Sequence, residues 1–395
     1  MNARERVIKT INHEEPDRVP SYEGSIDSKI ILEHYGEKYG VDDLANIQKT
    51  LYNQFSGDIK LLNKFMHKTA RKKIVAKSIV ESVARLYSKI GIDIVPIGLC
   101  IHPHKFFENG FITEFGQRFE FKENSTYKMK LLYYMGGVIK NFEEYEEFPL
   151  PDPDDPLREI FFKAGLQIED DFKGKICNTP AITGMMEMTW EGFGLESFSR
   201  LLANKKHAKK VFDDRGKFSV EMVKRIIEWG GSGPIIVLDD YGYKKGLFMS
   251  PKNYKDYVLP WLQKICKTAH SGGLQVILHS CGDIYRLFED IINAGVDAIN
   301  PLEPTTSNPE YDIFKLNEKY GQKITFVGNV SPQDLSDKEP EAIEYYTKKL
   351  IKEIAPGGGF ILSSGHSINP AVKLENFLAM RESLQRFGNY PIKNS

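Results

Sequence analysis

Cysteine is nearly absent: Cys100, Cys177, Cys266 and Cys281 are the only four in 395 residues. So few and so widely spaced, they argue against a disulfide framework and fit a reducing compartment, where a thiol with a special role is a ligand or nucleophile. An excess of either charge is missing too. The 53 basic and 54 acidic residues leave a formal charge of −1, so there is no electrostatic basis for nucleic acid or an anionic membrane as partner. Long apolar runs are also lacking. No window approaches the roughly 20 apolar residues of a membrane span, and the start "MNARERVIKTINHEEPDRVP" has no apolar signal core. The expectation is a cytoplasmic protein whose partner is a small molecule or another protein.

What is present is an alternation of two patterns. Short β-branched runs occur at 18–24, 92–98, 175–184, 234–242, 274–282, 296–304, 324–330 and 359–366, and the segments between them carry apolar residues at helical spacing, as in 251–271, 283–295 and 336–354. Eight βα units in a chain of this length predict an α/β fold of the (β/α)₈ barrel type, with parallel strands apolar on both faces. A doubly wound sheet is disfavoured, because "VPSYEGSIDSK" stands where a G-x-G-x-x-G turn would follow the first strand. Residues 1–395 read as one domain with two additions. A helix within 1–17 is expected to pack outside the barrel. An insertion over 100–173, a β-hairpin and a loop after the second strand, is expected at the barrel mouth.

In such a barrel the chemistry sits at the C-terminal ends of the strands. The runs end in Glu23, Asp239 and Asp240, His279 and Cys281, Glu303, Asn329 and His366. The stretch "LQVILHSCGD" is the most suggestive. At i and i+2 on a strand, His279 and Cys281 leave the same face and can converge on one ion, although such a pair also suits a core histidine beside a small buried thiol. His366, Asp240 and Glu303 are candidates for a further ligand. Asp239 and Asp240 also suit carboxylates that hold backbone amides.

Five ordered segments resemble the uroporphyrinogen decarboxylase superfamily: "RERVIKTINHEEPDRVP", "DDYGYKKGLFMSPKNYKDYVLPWLQKI", "HSCGDIYRLFEDIINAGVDAINPLEP", "KYGQKITFVGNV" and "PGGGFILSSGHSINPAVKLENFLAM". The resemblance implies a (β/α)₈ barrel. The superfamily holds the heme-pathway decarboxylase and corrinoid-linked methyltransferases. The decarboxylase uses an N-terminal segment of the form R-Q-A-G-R to hold substrate carboxylates. Here "SYEGSIDSKIILEHYG" follows Pro20, and no arginine occurs between Arg18 and Arg71, so the bidentate forks that eight carboxylates need are missing.

The methyltransferase branch resembles this chain in the H-x-C pair, which with a later cysteine binds zinc in that branch. No cysteine follows Cys281, and His366 stands near the position of the missing one. The resemblance thus implies a Zn²⁺ site of His279, Cys281 and His366. The implied reaction moves a methyl group between a small donor, such as a methoxylated aromatic that is O-demethylated, and the cobalamin of a separate corrinoid protein, since no D-x-H-x-x-G corrinoid motif is present. Asp240, Glu303 and Asp239 are then the catalytic carboxylates, and Tyr22, Glu23, Trp190, Tyr241 and Asn329 the substrate-binding residues. Whether Glu187 and Glu191 of "MMEMTWEGFG" also face the pocket is left open by the sequence. The alternatives are a binding protein on a retained barrel and a decarboxylase without metal.

Overall fold

Seven parallel strands follow one another in space in the order of the chain: Ile94–Gly98, Cys177–Thr183, Gly233–Leu238, Leu274–His279, Ala298–Asn300, Thr325–Val330 and Phe360–Ser364. They belong to a computed structural model that describes residues 1–37 and 40–393. The eighth run, 18–24, meets the barrel sheet through only two bridges. Ser21 pairs with Leu362 of the last strand and Tyr22 with Ile94 of the first. The Tyr22 amide donates to the Leu362 carbonyl at 3.0 Å, and the amides of Asp93 and Ile94 donate to the Ser21 carbonyl at 3.0 and 3.2 Å. Pro20 has no N–H to offer, which keeps the ladder short, but the bridges reach both edges and close the sheet into a barrel.

The interior confirms the closure. Tyr22, Ile94, Ala181, Ile236, Ile277, Ala298, Val327 and Ile361 form one buried cluster, a single residue from each of the eight segments. Val7 and Ile11 of the helix Ala3–Ile11 join the same cluster. The helix expected outside the barrel therefore closes its N-terminal mouth. The amphipathic pattern correctly marks a buried face, but it cannot say that this face enters the barrel. Arg6 donates to Asp93 at 2.7 Å and Arg18 donates to the same carboxylate at 2.8 Å. Asp93 is fully buried and also accepts the Ser21 amide at 2.9 Å, so one carboxylate ties the plug and the closing segment to the first full strand.

Four helices, Lys29–His34, Gly40–Gln54, Ile59–Ala70 and Lys73–Ile90, lie between the closing segment and that strand. The region 100–173 holds more than a hairpin. Pro103–Phe107, Gly110–Thr113, Gln117–Asn124 and Met129–Gly137 pair antiparallel in sequence as a four-stranded meander. Arg158, fully buried, fastens it to the barrel by donating to the Leu99 carbonyl at 2.7 Å and to Glu114 at 2.6 Å. Among the described residues no helix is long and apolar enough to cross a membrane.

Candidate metal centre at the barrel mouth

The strand Leu274–His279 stops one residue short of the turn that carries Cys281. The Ser280 amide still donates to the Asn300 carbonyl at 2.8 Å, and the Ser280 hydroxyl accepts the Tyr241 amide at 2.9 Å. Gly282 then turns the chain at φ +79°. A Cβ there would stand 2.3 Å from the Tyr243 nitrogen, so glycine is required both by the left-handed backbone and by the close approach. This turn swings Cys281 back over the strand end. Its Sγ lies 3.5 Å from His279 Nε2.

Asp240 completes the group. Its Oδ1 lies 3.9 Å from His279 Nε2 and accepts the Cys281 amide at 2.7 Å, and one ligand atom from each of Asp240, His279 and Cys281 falls within 4.8 Å of the others. Ligand atoms around a tetrahedral zinc stand about 3.3–3.8 Å apart, given bonds of about 2.0–2.3 Å. The donor set is thus close to the spacing an ion needs, with one imidazole, one thiol and one carboxylate. Three protein ligands leave a fourth position for a reacting molecule.

The histidine is prepared for this role by its neighbour in the next strand. His279 pairs in register with Asn300, and its Nδ1 donates to Asn300 Oδ1 at 2.6 Å. Asn300 Nδ2 in turn donates to the Val327 carbonyl at 3.0 Å, which fixes the amide with its oxygen toward the ring. The tautomer follows. With its proton on Nδ1, the ring presents the Nε2 lone pair to Cys281 and Asp240. The side chains of His279 and Asp240 are 23% and 25% exposed, so the group is reachable from the mouth.

The surrounding groups are acidic, and burial favours their protonated forms. Burial, with Asp240, Glu303 and Glu187 nearby, pushes the Cys281 thiol well above its ordinary range. Burial likewise raises Glu187, with Asp240, Glu191 and Asp239 adding to the shift. Glu191 is raised to about 7 by burial despite a hydrogen bond from Gln117 of the meander.

Other residues expected at the site have different places. His366 is exposed, within electrostatic reach of Asp27, and stands outside the Asp240–His279–Cys281 group. The strand ends at Ser364, whose hydroxyl donates to the His366 carbonyl in the loop that follows. Asp239 is fully buried and accepts the amides of Met185 and Glu187 at 2.9 and 2.8 Å, so it anchors the start of the helix Met186–Phe193. Glu303 accepts the Gly282 amide at 3.0 Å and the Thr305 hydroxyl at 2.7 Å. It holds the Cys281 turn in place.

Glu23 is buried against Ser364, whose amide donates to it at 3.2 Å and whose hydroxyl is in hydrogen-bond contact with it, and burial raises its carboxyl to about 7. Tyr22 belongs to the interior ring, with Cys281 among the groups that act on its phenol. Tyr241 lies in the outer core against Tyr254, which donates a hydrogen bond to the Tyr241 carbonyl, rather than in an aromatic pocket. Asn329 donates to the Leu302 carbonyl and accepts from Tyr346, both at 2.9 Å. Trp190 is partly buried against Phe248. Asn300 escapes the sequence, where it looks like any polar residue after a strand; only its register with His279 gives it a role.

A family model described as uroporphyrinogen decarboxylase (URO-D) matches residues 183–387 of this chain. The uroporphyrinogen decarboxylase of Vesicomyosocius okutanii subsp. Calyptogena okutanii (strain HA) is 25% identical over 228 residues, 54% of this chain and 62% of that protein. This chain therefore spans less than two thirds of that relative's length. The uroporphyrinogen decarboxylase of Colwellia psychrerythraea (strain 34H / ATCC BAA-681) is 25% identical over 279 residues, 65% of this chain and 73% of that protein. Among solved structures, a methyltransferase from Methanosarcina mazei superposes with a TM-score of 0.68, covering 98% of this chain and 99% of that one at 17% identity. That likeness is one of fold.

Proposed function

This chain belongs to the uroporphyrinogen decarboxylase family, and from that premise we propose that it is a zinc-dependent methyltransferase that moves a methyl group between a small molecule and the cobalamin of a separate corrinoid protein. The observation that carries the reading is the convergence of Asp240, His279 and Cys281 at the mouth, with His279 held in one tautomer by Asn300. The methyltransferase from Methanosarcina mazei, alike in fold over nearly the whole chain, supports it.

Asp240, His279 and Cys281 would hold the ion. The carboxylate takes the third place that the sequence assigns to His366. Bound there, zinc supplies a Lewis acid that offsets negative charge developing on the oxygen or sulfur from which a methyl departs or to which it is delivered. The protein's own contribution is preorganisation. Asn300 keeps Nε2 free of its proton, the Cys281 amide aims the Asp240 carboxylate, and Glu303 locks the turn that presents the thiol. Asp239 fixes the helix that brings Glu187 and Glu191 to the mouth. A methoxylated aromatic is the donor expected from the sequence.

Decarboxylation of a tetrapyrrole has weaker support. The segment after Pro20 carries no arginine, and the carboxylates around Cys281 would repel a polycarboxylate. The deciding experiment is elemental analysis of protein purified without added metal, beside Cys281→Ala, followed by an assay for methylcobalamin with a Co(I) corrinoid protein. About one zinc per chain, lost in the variant, together with methyl transfer, is the expected result. Metal-free wild-type protein would overturn the reading.

A further inference from the structure

Arg6 and Arg158 show how this chain satisfies a buried guanidinium. Arg6 meets Asp93 at 2.7 Å, and Arg158 donates to the carbonyls of Asp152 and Leu99 and to the Glu114 carboxylate. Arg381 gives two bonds from Nη2 and has Glu23 and Asp93 within electrostatic reach. Arg215, on the helix Lys205–Glu228, is different. It is 1% exposed, its Nε and Nη1 have no hydrogen-bond partner among the described residues, and its Nη2 makes one long bond, to the Phe115 carbonyl at 3.4 Å. The guanidinium lies 4.7 and 5.7 Å from the ring centroids of Phe115 and Tyr145, contacts that attract a cation but supply no acceptor for its N–H groups.

The carboxylates within electrostatic reach of Arg215 are already engaged. Glu114 pairs with Arg158 at 2.6 Å, and Asp214 pairs with Lys210 and accepts the Tyr145 hydroxyl at 3.1 Å. Arginine stays charged in proteins, and a buried charge without a counter-charge is strongly destabilising. An anion from outside the chain would supply what is missing.

A second observation gives that anion a place. Arg215 lines a cavity between its helix and the segment that precedes the helix Pro156–Asp171. Its volume is about 210 Å³, room for about seven waters. Leu150, Pro151, Pro153 and Phe218 give it apolar walls, and Lys217, which is exposed and forms no ion pair among the described residues, adds a second cation. The acids in the wall are Asp214 and Glu221, and Glu221 is held by Lys224 at 2.6 Å.

We propose that this cavity binds a short-chain monocarboxylate, its carboxylate on Arg215 and Lys217 and its apolar tail against Leu150, Pro151 and Phe218. A carboxylate matches the planar donors of a guanidinium and provides the absent counter-charge. A dianion would gain nothing from the apolar walls and would meet Asp214 and Glu221, whereas a neutral molecule or water would leave the charge unpaired. The site shares no residue with the Asp240–His279–Cys281 group, so the inference is independent of the chemistry proposed there. Through Arg215 and the Phe115 carbonyl, the bound anion would brace the meander against the barrel.

Butyrate, neutral butan-1-ol and dianionic sulfate, titrated calorimetrically into the full chain in a chloride-free zwitterionic buffer, separate the possibilities. Butyrate is expected to bind at a single site, at least about tenfold more tightly than either of the others. Arg215→Met is expected to lose that preference, and Lys217→Ala, at an exposed position, to weaken butyrate binding by about threefold or more. Cys281→Ala is expected to bind butyrate as wild type does. Binding of none of the three probes, equal binding of butyrate and butan-1-ol, a preference for sulfate, or unchanged butyrate binding in Arg215→Met overturns the proposal. Loss of butyrate binding in Cys281→Ala would put the anion at the barrel mouth and overturn it as well. The comparison of probes uses wild-type protein, so misfolding of a variant does not blunt the test.

Discussion

Asn300 Oδ1 lies 2.6 Å from His279 Nδ1, across two strands that place the two residues directly opposite each other. A single amide therefore decides which nitrogen of the imidazole faces Cys281 and Asp240. Replacing it by alanine leaves the ligands in place and frees the ring. Asn300→Ala is expected to weaken zinc binding by about 10–100-fold, measured by competition with a chromophoric chelator, while Cys281→Ala is expected to abolish stoichiometric binding. Unchanged affinity in Asn300→Ala would remove Asn300 from the site.

Zinc binding is expected to depend on pH through the thiol. Burial and the neighbouring carboxylates hold Cys281 protonated well above its ordinary range in the metal-free protein, whereas the ligand is the thiolate. Each ion bound displaces that proton, so affinity is expected to rise about tenfold per pH unit across neutrality. Chelator competition at pH 6, 7 and 8 checks the slope. A flat profile would mean that the thiol is not a ligand.

Stability is expected to fall as the solution becomes less acidic. Glu23 in the folded chain titrates at about 7, against 4.5 for an unperturbed carboxyl, because it is buried. The native state therefore keeps a proton that the unfolded chain releases, and the stability this contributes is lost as pH rises from about 4.5 to 7. Urea midpoints for Glu23→Gln should show a shallower decline over that interval than the wild type. An equal decline would assign the slope to other carboxylates, Asp239 foremost, which burial also raises to about 7.

Removing Asp93 should be costly although it lies far from the mouth. Its carboxylate receives Arg6, Arg18 and the Ser21 amide, and Arg6 is itself buried. Asp93→Ala leaves that guanidinium without its buried partner and is expected to lower stability by about 3–5 kcal/mol, read from denaturant unfolding. A loss below about 1 kcal/mol would show that the plug is held by its apolar contacts alone.

Legibility in the sequence followed the range of the interaction. The strands, their parallel order and the H-x-C pair were readable because each is written in consecutive residues of one run. Asp240 was readable as one of three candidates for a further ligand beside the H-x-C pair, but its approach to Cys281 was not, since that depends on the turn at Gly282 bringing Cys281 back to it. His366 looked equivalent to a ligand by position. Its exposed place outside the Asp240–His279–Cys281 group depends on the loop after Ser364, which the letters do not show. Asn300 and the interior burial of Val7 and Ile11 are relations between distant segments, and nothing local encodes them.

The two bridges at Ser21 and Tyr22 also order events during synthesis. The closing segment is synthesised some 340 residues before Leu362, its partner on one side. Until then the nascent sheet has two open edges, each a row of unpaired amides and carbonyls that invites pairing with another chain. A truncated chain ending before Phe360 would keep both edges open for its whole lifetime, and its fate should be aggregation rather than a smaller folded protein.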